Sequence, residues 1–133
     1  VDGALSDAAV LAAEAAALER ASQLTPHQFA YADKVFPHPG RRYVDLDPSR
    51  VPRHIAAIAP RLVKFAGTEV AALLELLAAT PLGVDVSAHP HVKLQLTLGE
   101  SGCTPCHYDV SKVVNKLQIS ILIYLSEWAL EYG

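Results

Sequence analysis

The chain has 133 residues, 51% of them apolar and 19% charged, with 11 Lys and Arg against 14 Asp and Glu. That is enough for one domain with a buried core, and a net charge of −3 provides no basic face for the phosphates of a nucleic acid. No uncharged apolar run reaches the ~18 residues that suggest a membrane span, since the longest, ISILIYL, is strand-sized; no membrane partner is expected.

The alanine-rich opening LSDAAVLAAEAAALERASQ reads as a helix over residues 6–22. Ser6 is a suitable N-cap, Asp7 favours the first turn, and alanine has the highest helix propensity. Val10, Leu11 and Leu18 are its only large apolar residues, which fits an outer helix packed by a thin stripe. Four acidic residues up to Glu19 and a single Arg argue against a targeting peptide, so the compartment stays open. Thr25 to Pro48, with its prolines and FPHPGRRY, reads as loop with a short strand at Tyr43 to Leu46.

Val51, Ile55, Ile58, Leu62 and Phe65 then step by four and three along one helical face. Pro60 falls inside this run and should split it into two shorter helices. Thr68 is placed to cap a further helix with Glu69 in its first turn and a buried stripe of Val70, Leu73, Leu74 and Leu77, ending before Pro81 and Gly83. After Gly83 the period changes to two. VKLQLTLG (92–99) sets Val92, Leu94, Leu96 and Leu98 on one face and Lys93, Gln95 and Thr97 on the other. LQISILIYLS (117–126) is rich in branched residues and reads as a central, covered strand. The chain contains no methionine and stops at Gly133 just after this apolar segment. It therefore reads as a fragment: an α+β arrangement of helices over 1–91, then the first strands of a sheet over 92–133.

Between the last two strand patterns lies CTPCHYD, residues 103–109. Its C-x-x-C-H fits covalent haem attachment, but no methionine exists to be the sixth ligand. Its C-x-x-C fits a dithiol, which requires the first Cys at a helix N-terminus, whereas strand follows here. It also fits half of a zinc site, with His89 and His91 of AHPHV as the other pair, at a spacing unlike common zinc modules; those two His otherwise simply flank a strand. The fourth reading is geometric. His107 and Asp109 are i and i+2, and on a strand such side chains leave the same face about 6–7 Å apart. A neutral imidazole and a carboxylate, joined by one more His, form the facial triad of non-haem Fe(II) oxygenases.

The context on both sides sharpens this. VKLQLTLGESGCTPCHYDV, followed closely by LQISILIYLSEW and a Gly, resembles the first half of a 2-oxoglutarate- and Fe(II)-dependent dioxygenase of the prolyl 4-hydroxylase-like branch. The resemblance covers residues 92–133 and implies a double-stranded β-helix (jelly-roll) core, truncated here. It makes His107 and Asp109 iron ligands and Tyr124 the residue whose phenol bonds the distal carboxylate of 2-oxoglutarate. Gly99 and Gly102 match the loop leading to the metal, and Ser126 stands where Asn is frequent. Thr104 and Thr97 stand where some relatives have Tyr. Cys103 and Cys106 become pocket-wall residues prone to oxidation.

The resemblance places the remaining His roughly 50–70 residues beyond Asp109 and a basic cosubstrate anchor about ten later, past Gly133. His27, His38 and His54 fall in the helical region and do not match it. The implied activity is C–H hydroxylation, with peptidyl proline as the substrate class, Fe(II) and 2-oxoglutarate as cofactor and cosubstrate, and ascorbate as an accessory reductant. Without the missing ligands the fragment itself is expected to be inactive. The rival is a non-enzymatic interaction module in which HYD is a chance match, using the Ala/Leu-rich helices to meet a partner.

Overall fold

The structure, a computed structural model, describes residues 7–31, 33–81, 90–99 and 119–126. Its sheet begins as a hairpin. β1 (Thr25–Tyr31) runs antiparallel to β2 (Lys34–Asp45), and β3 (Lys93–Thr97) adds to the other side of β2 in antiparallel sense, giving the order β1-β2-β3. The segment read as loop is therefore mostly strand. Its prolines hide a period-two pattern: Thr25, His27 and Phe29 share one face of β1.

The register explains why prolines are tolerated on a central strand. Pro26 pairs with Arg42, but Gln28 pairs with Pro37, so one residue of β1 faces four of β2. His38, Pro39, Gly40 and Arg41 form this bulge, where a missing ladder N–H costs nothing. Gly40 adopts φ 71°, a left-handed conformation natural for glycine, and its carbonyl accepts a bond from the Leu98 N–H at 2.8 Å. The bulge is thus tied to the strand on its far side.

β3 alternates as its sequence requires: Leu94 and Leu96 are half-buried, while Lys93, Gln95 and Thr97 are exposed. Val44, Val92, Leu94 and Leu96 pack against a core of Leu11, Leu18, Leu24, Leu46, Ile55, Ala59, Leu62 and Ala66. Helices supply most of that core. α1 (Ala8–Arg20) contributes Leu11 and Leu18, both fully buried, while Val10 stays half exposed. Ser6 lies outside the described residues. The helix closes on a left-handed Ser22, with the Gln23 N–H bonding the Leu18 carbonyl and the Ser22 N–H that of Glu19.

Pro60 divides the next run as anticipated, into α2 (Arg53–Ile58) and α3 (Pro60–Lys64). Proline sits at the first position of α3, where its lack of an N–H is harmless. The two following N–H groups, of Arg61 and Leu62, would be orphaned. Both donate instead to the Glu14 carboxylate of α1, at 3.1 and 2.8 Å. A negative group at a helix start is favoured by the dipole as well, so Glu14 joins the two helices and caps one. Arg61 itself ion-pairs with Asp7 and Glu69.

No break occurs at Thr68. The chain passes from α3 through a π turn (Phe65–Glu69) directly into α4 (Val70–Ala78), so Thr68 lies within a helix and caps nothing. The stripe Val70, Leu73, Leu74 and Leu77 is half-buried and not fully buried. Gly67 faces Pro48, and a Cβ there would meet Pro48 Cγ at 2.8 Å. Gly67→Ala should therefore lower stability by about 1 kcal/mol net: overpacking costs about 1–3 kcal/mol and alanine's helix preference returns about 1. A denaturant midpoint measures it, and a raised midpoint would show that Pro48 gives way.

The second strand pattern differs from its expectation. Among the described residues, 119–125 join no strand ladder, and Ile121, Leu122 and Ile123 are 47%, 75% and 41% exposed. Branched residues favour a pleated surface only when neighbouring strands cover them, and no described strand pairs with this segment. Leu125 alone packs against the core. The architecture is α+β, with helices on one face of a three-stranded antiparallel sheet.

Candidate functional site

His107 and Asp109, the two candidate metal ligands in CTPCHYD, lie outside the described residues, as do Cys103, Cys106, Gly102 and Thr104. Tyr124 is described and is 75% exposed. Thr97 ends β3 in register with Arg41, and Gly99 follows in the turn after it. β3 therefore delivers the chain to the threshold of the motif. His91, offered above as a zinc ligand, is engaged at 2.8 Å by Asp45 instead, and His89 is outside the described residues. Among those residues no group of three His, Cys, Asp or Glu could hold a metal ion.

The polar cluster that the structure does bring together lies on the sheet face turned away from Leu94 and Leu96. Tyr43 and Thr25 are register partners, and Tyr43 pairs across β3 with Gln95. Period two then places His27 beside Tyr43 and Phe29 one step further. Their rings meet in sequence. Phe36 stacks on Phe29 at 5.4 Å; Phe29 meets the edge of His38 at 5.9 Å; His38 meets His27, and His27 meets Tyr43, each at 5.6 Å. Lys93 closes the row with its ammonium 5.0 Å from the Tyr43 ring centre, a cation–π arrangement.

His27 and His38 thus belong to strands, and of the three earlier histidines only His54, in α2, is helical. The hairpin register accounts for the meeting. Phe29 pairs with Phe36 and Gln28 with Pro37, so one further step brings His38 to His27, on the same face as Phe36 and at the start of the bulge. His38 is 5% exposed, and it is the buried polar side chain among the described residues. Both of its ring nitrogens lack a hydrogen-bond partner, as do His27 Nδ1 and Arg41 Nε.

Burial pushes the His27 imidazole below the ordinary histidine range, and the positive influence of His38, Lys93 and Arg41 pushes the same way. A depressed folded-state pKa means that the unfolded chain binds the proton more readily. The corresponding stability is present above about pH 6.5 and is lost as pH falls from there through the folded-state value. His27→Gln should flatten that decline, measured as urea midpoints at about pH 7.5 and about pH 5.5. Parallel declines in wild type and variant would assign the acid sensitivity to other groups.

A shallow, open concavity runs along the outer edge of β1, lined by Thr25, Pro26, Gln28, Phe29, Ala30, Val35 and Tyr43. It contains neither carboxylate nor imidazole, so it provides no acid–base pair. Sequence reasoning missed the histidine pair because its members come together across strands. The alternation of Thr25, His27 and Phe29 was the available signal. No family model, curated protein or solved structure matches the chain.

Proposed function

We propose that this chain belongs to an Fe(II)- and 2-oxoglutarate-dependent dioxygenase that hydroxylates a C–H bond, with peptidyl proline as the favoured substrate class. The observation that carries the reading is HYD at 107–109, reached from VKLQLTLG and followed by LQISILIYLSEW. In its support, residues 93–97 of that first segment form an antiparallel strand with one face against the helical core. An α+β body with helices backing a sheet is compatible with the support region of such an enzyme.

The donor set suits the ion. A neutral imidazole and a carboxylate are hard-to-borderline ligands that leave positions open on ferrous iron. Bound iron would let O2 act as the oxidant for hydroxylation, with 2-oxoglutarate oxidised alongside to succinate and CO2. His107 and Asp109 would hold the metal, and Tyr124 would bond the distal cosubstrate carboxylate. The protein's own task is to keep the two ligands on one side of an extended backbone and to fix the imidazole through its second nitrogen.

The second reading, a non-enzymatic interaction module, draws on the exposed apolar run Ile121 to Ile123; contiguous apolar surface marks contact sites. Full-length protein supplied with Fe(II), 2-oxoglutarate and oxygen separates the two. Succinate above a blank containing iron without the protein, increased by proline-containing peptides, is the expected result. Succinate at the blank level in every arm would overturn the oxygenase.

A further inference from the structure

Four nitrogens are buried without partners in one patch of the sheet: His27 Nδ1, His38 Nδ1, His38 Nε2 and Arg41 Nε. Each unsatisfied buried polar atom costs about 1–3 kcal/mol, so native proteins rarely gather several unless something satisfies them. His38, 5% exposed, cannot turn its ring to bulk water. The bulge commits four residues of β2 opposite the single His27, and both His38 and Arg41 lie within it.

The charge around the patch selects the partner. Arg41 and Lys93 are both near enough to act on His27, and among its described influences none is acidic. Asp45, two residues beyond Tyr43 on β2, is already held by His91. Groups facing His27 are therefore His38, Arg41 and Tyr43 from β2 and Lys93 from β3. Two cations beside two imidazoles repel a divalent metal and attract an acceptor of hydrogen bonds.

We propose that His27, His38 and Arg41, bordered by Lys93, form a binding site for an oxyanion, a phosphate or carboxylate group presented by a ligand. Arg41 Nε–H donates to it in any state, since guanidinium remains charged. A neutral imidazole offers a single N–H, and a protonated one offers two. Occupancy therefore favours the protonated rings: binding takes up protons, and affinity rises as pH falls. The inference is independent of the oxygenase reading and is tested without iron or 2-oxoglutarate.

The imidazole signals of the protein, with those of the pair assigned by His27→Gln and His38→Gln, are followed by NMR during titration with sulfate and, separately, acetate. Both probes keep a constant charge across the histidine range; sulfate stands for a phosphate group and acetate for a carboxylate. The expected result is a saturable shift confined to His27 and His38, with tighter binding at lower pH. The arm that responds names the oxyanion. Arg41→Gln should weaken binding about tenfold, the loss of one charge-assisted bond, while Arg41→Lys, which keeps the charge, should restore part of it. Failure of both anions to shift either histidine saturably overturns the proposal whatever the variants do. So does a response to Zn(II) in place of the anions, which would make the pair a cation site.

Discussion

Leu18→Ala is expected to destabilise the protein by about 3 kcal/mol, within the range of about 2–5 kcal/mol found for truncating a buried leucine. Leu18 is fully enclosed, in a core shared with Leu11 of the same helix, with Ile55, Ala59, Leu62 and Ala66 of the following helical run, and with Leu24 and Leu46 beside the strands. Few of these neighbours can collapse into the space, because α1 is fixed at both ends. Asp7 is paired with Arg61, Glu14 bonds the start of α3, and Ser22 closes the C-terminus. A domain of this size is stable by about 5–15 kcal/mol, so the loss would be obvious as a shift in the urea midpoint at unchanged slope. Val10→Ala is the internal control: on the same helix but 49% exposed, it should cost less than about 0.5 kcal/mol. Equal costs at the two positions would mean that α1 is not docked as described.

His107→Ala in the full-length protein is expected to reduce iron-dependent succinate formation by more than about 100-fold, since loss of an outer-shell partner alone costs about 10–100-fold in metal affinity or activity. The thermal midpoint should move little in metal-free protein, because a side chain kept for an ion does not hold the apolar core. Succinate formation and the midpoint respond differently to the two hypotheses. Loss of turnover with an unchanged fold fits a metal ligand, whereas general unfolding of the variant would assign His107 a structural part and remove the motif's chemical meaning.

The helices could be read from the chain because their signals are local. Leu11 and Leu18, seven apart, define the buried stripe of α1, and Pro60 announces the break between α2 and α3. β3 was equally legible from strict alternation. The β1–β2 hairpin was not. Pro26, Pro37, Pro39 and Gly40 are punctuation in any local reading, and only the long-range register shows that Pro39 and Gly40 fall where the ladder opens, with Pro26 and Pro37 at its margins. Thr68 misled for a related reason: an N-cap residue type looks the same whether a helix starts there or continues through a wider turn. The pairing of His27 with His38 required the register of the hairpin, and hence knowledge of the partner strand.

The π turn also bears on how this chain can change length. A π turn is a helix containing one residue more than its span requires. Removing one, at the exposed Thr68, would return Phe65–Glu69 to ordinary winding. Arg61 and Glu69 would then be seven apart, about 20° around the axis, and could still meet. Elsewhere in the helices a single deletion rotates every later side chain by about 100°. Between Leu62 and Leu73, one residue can be lost, and regained, while the hydrophobic side keeps its bearing.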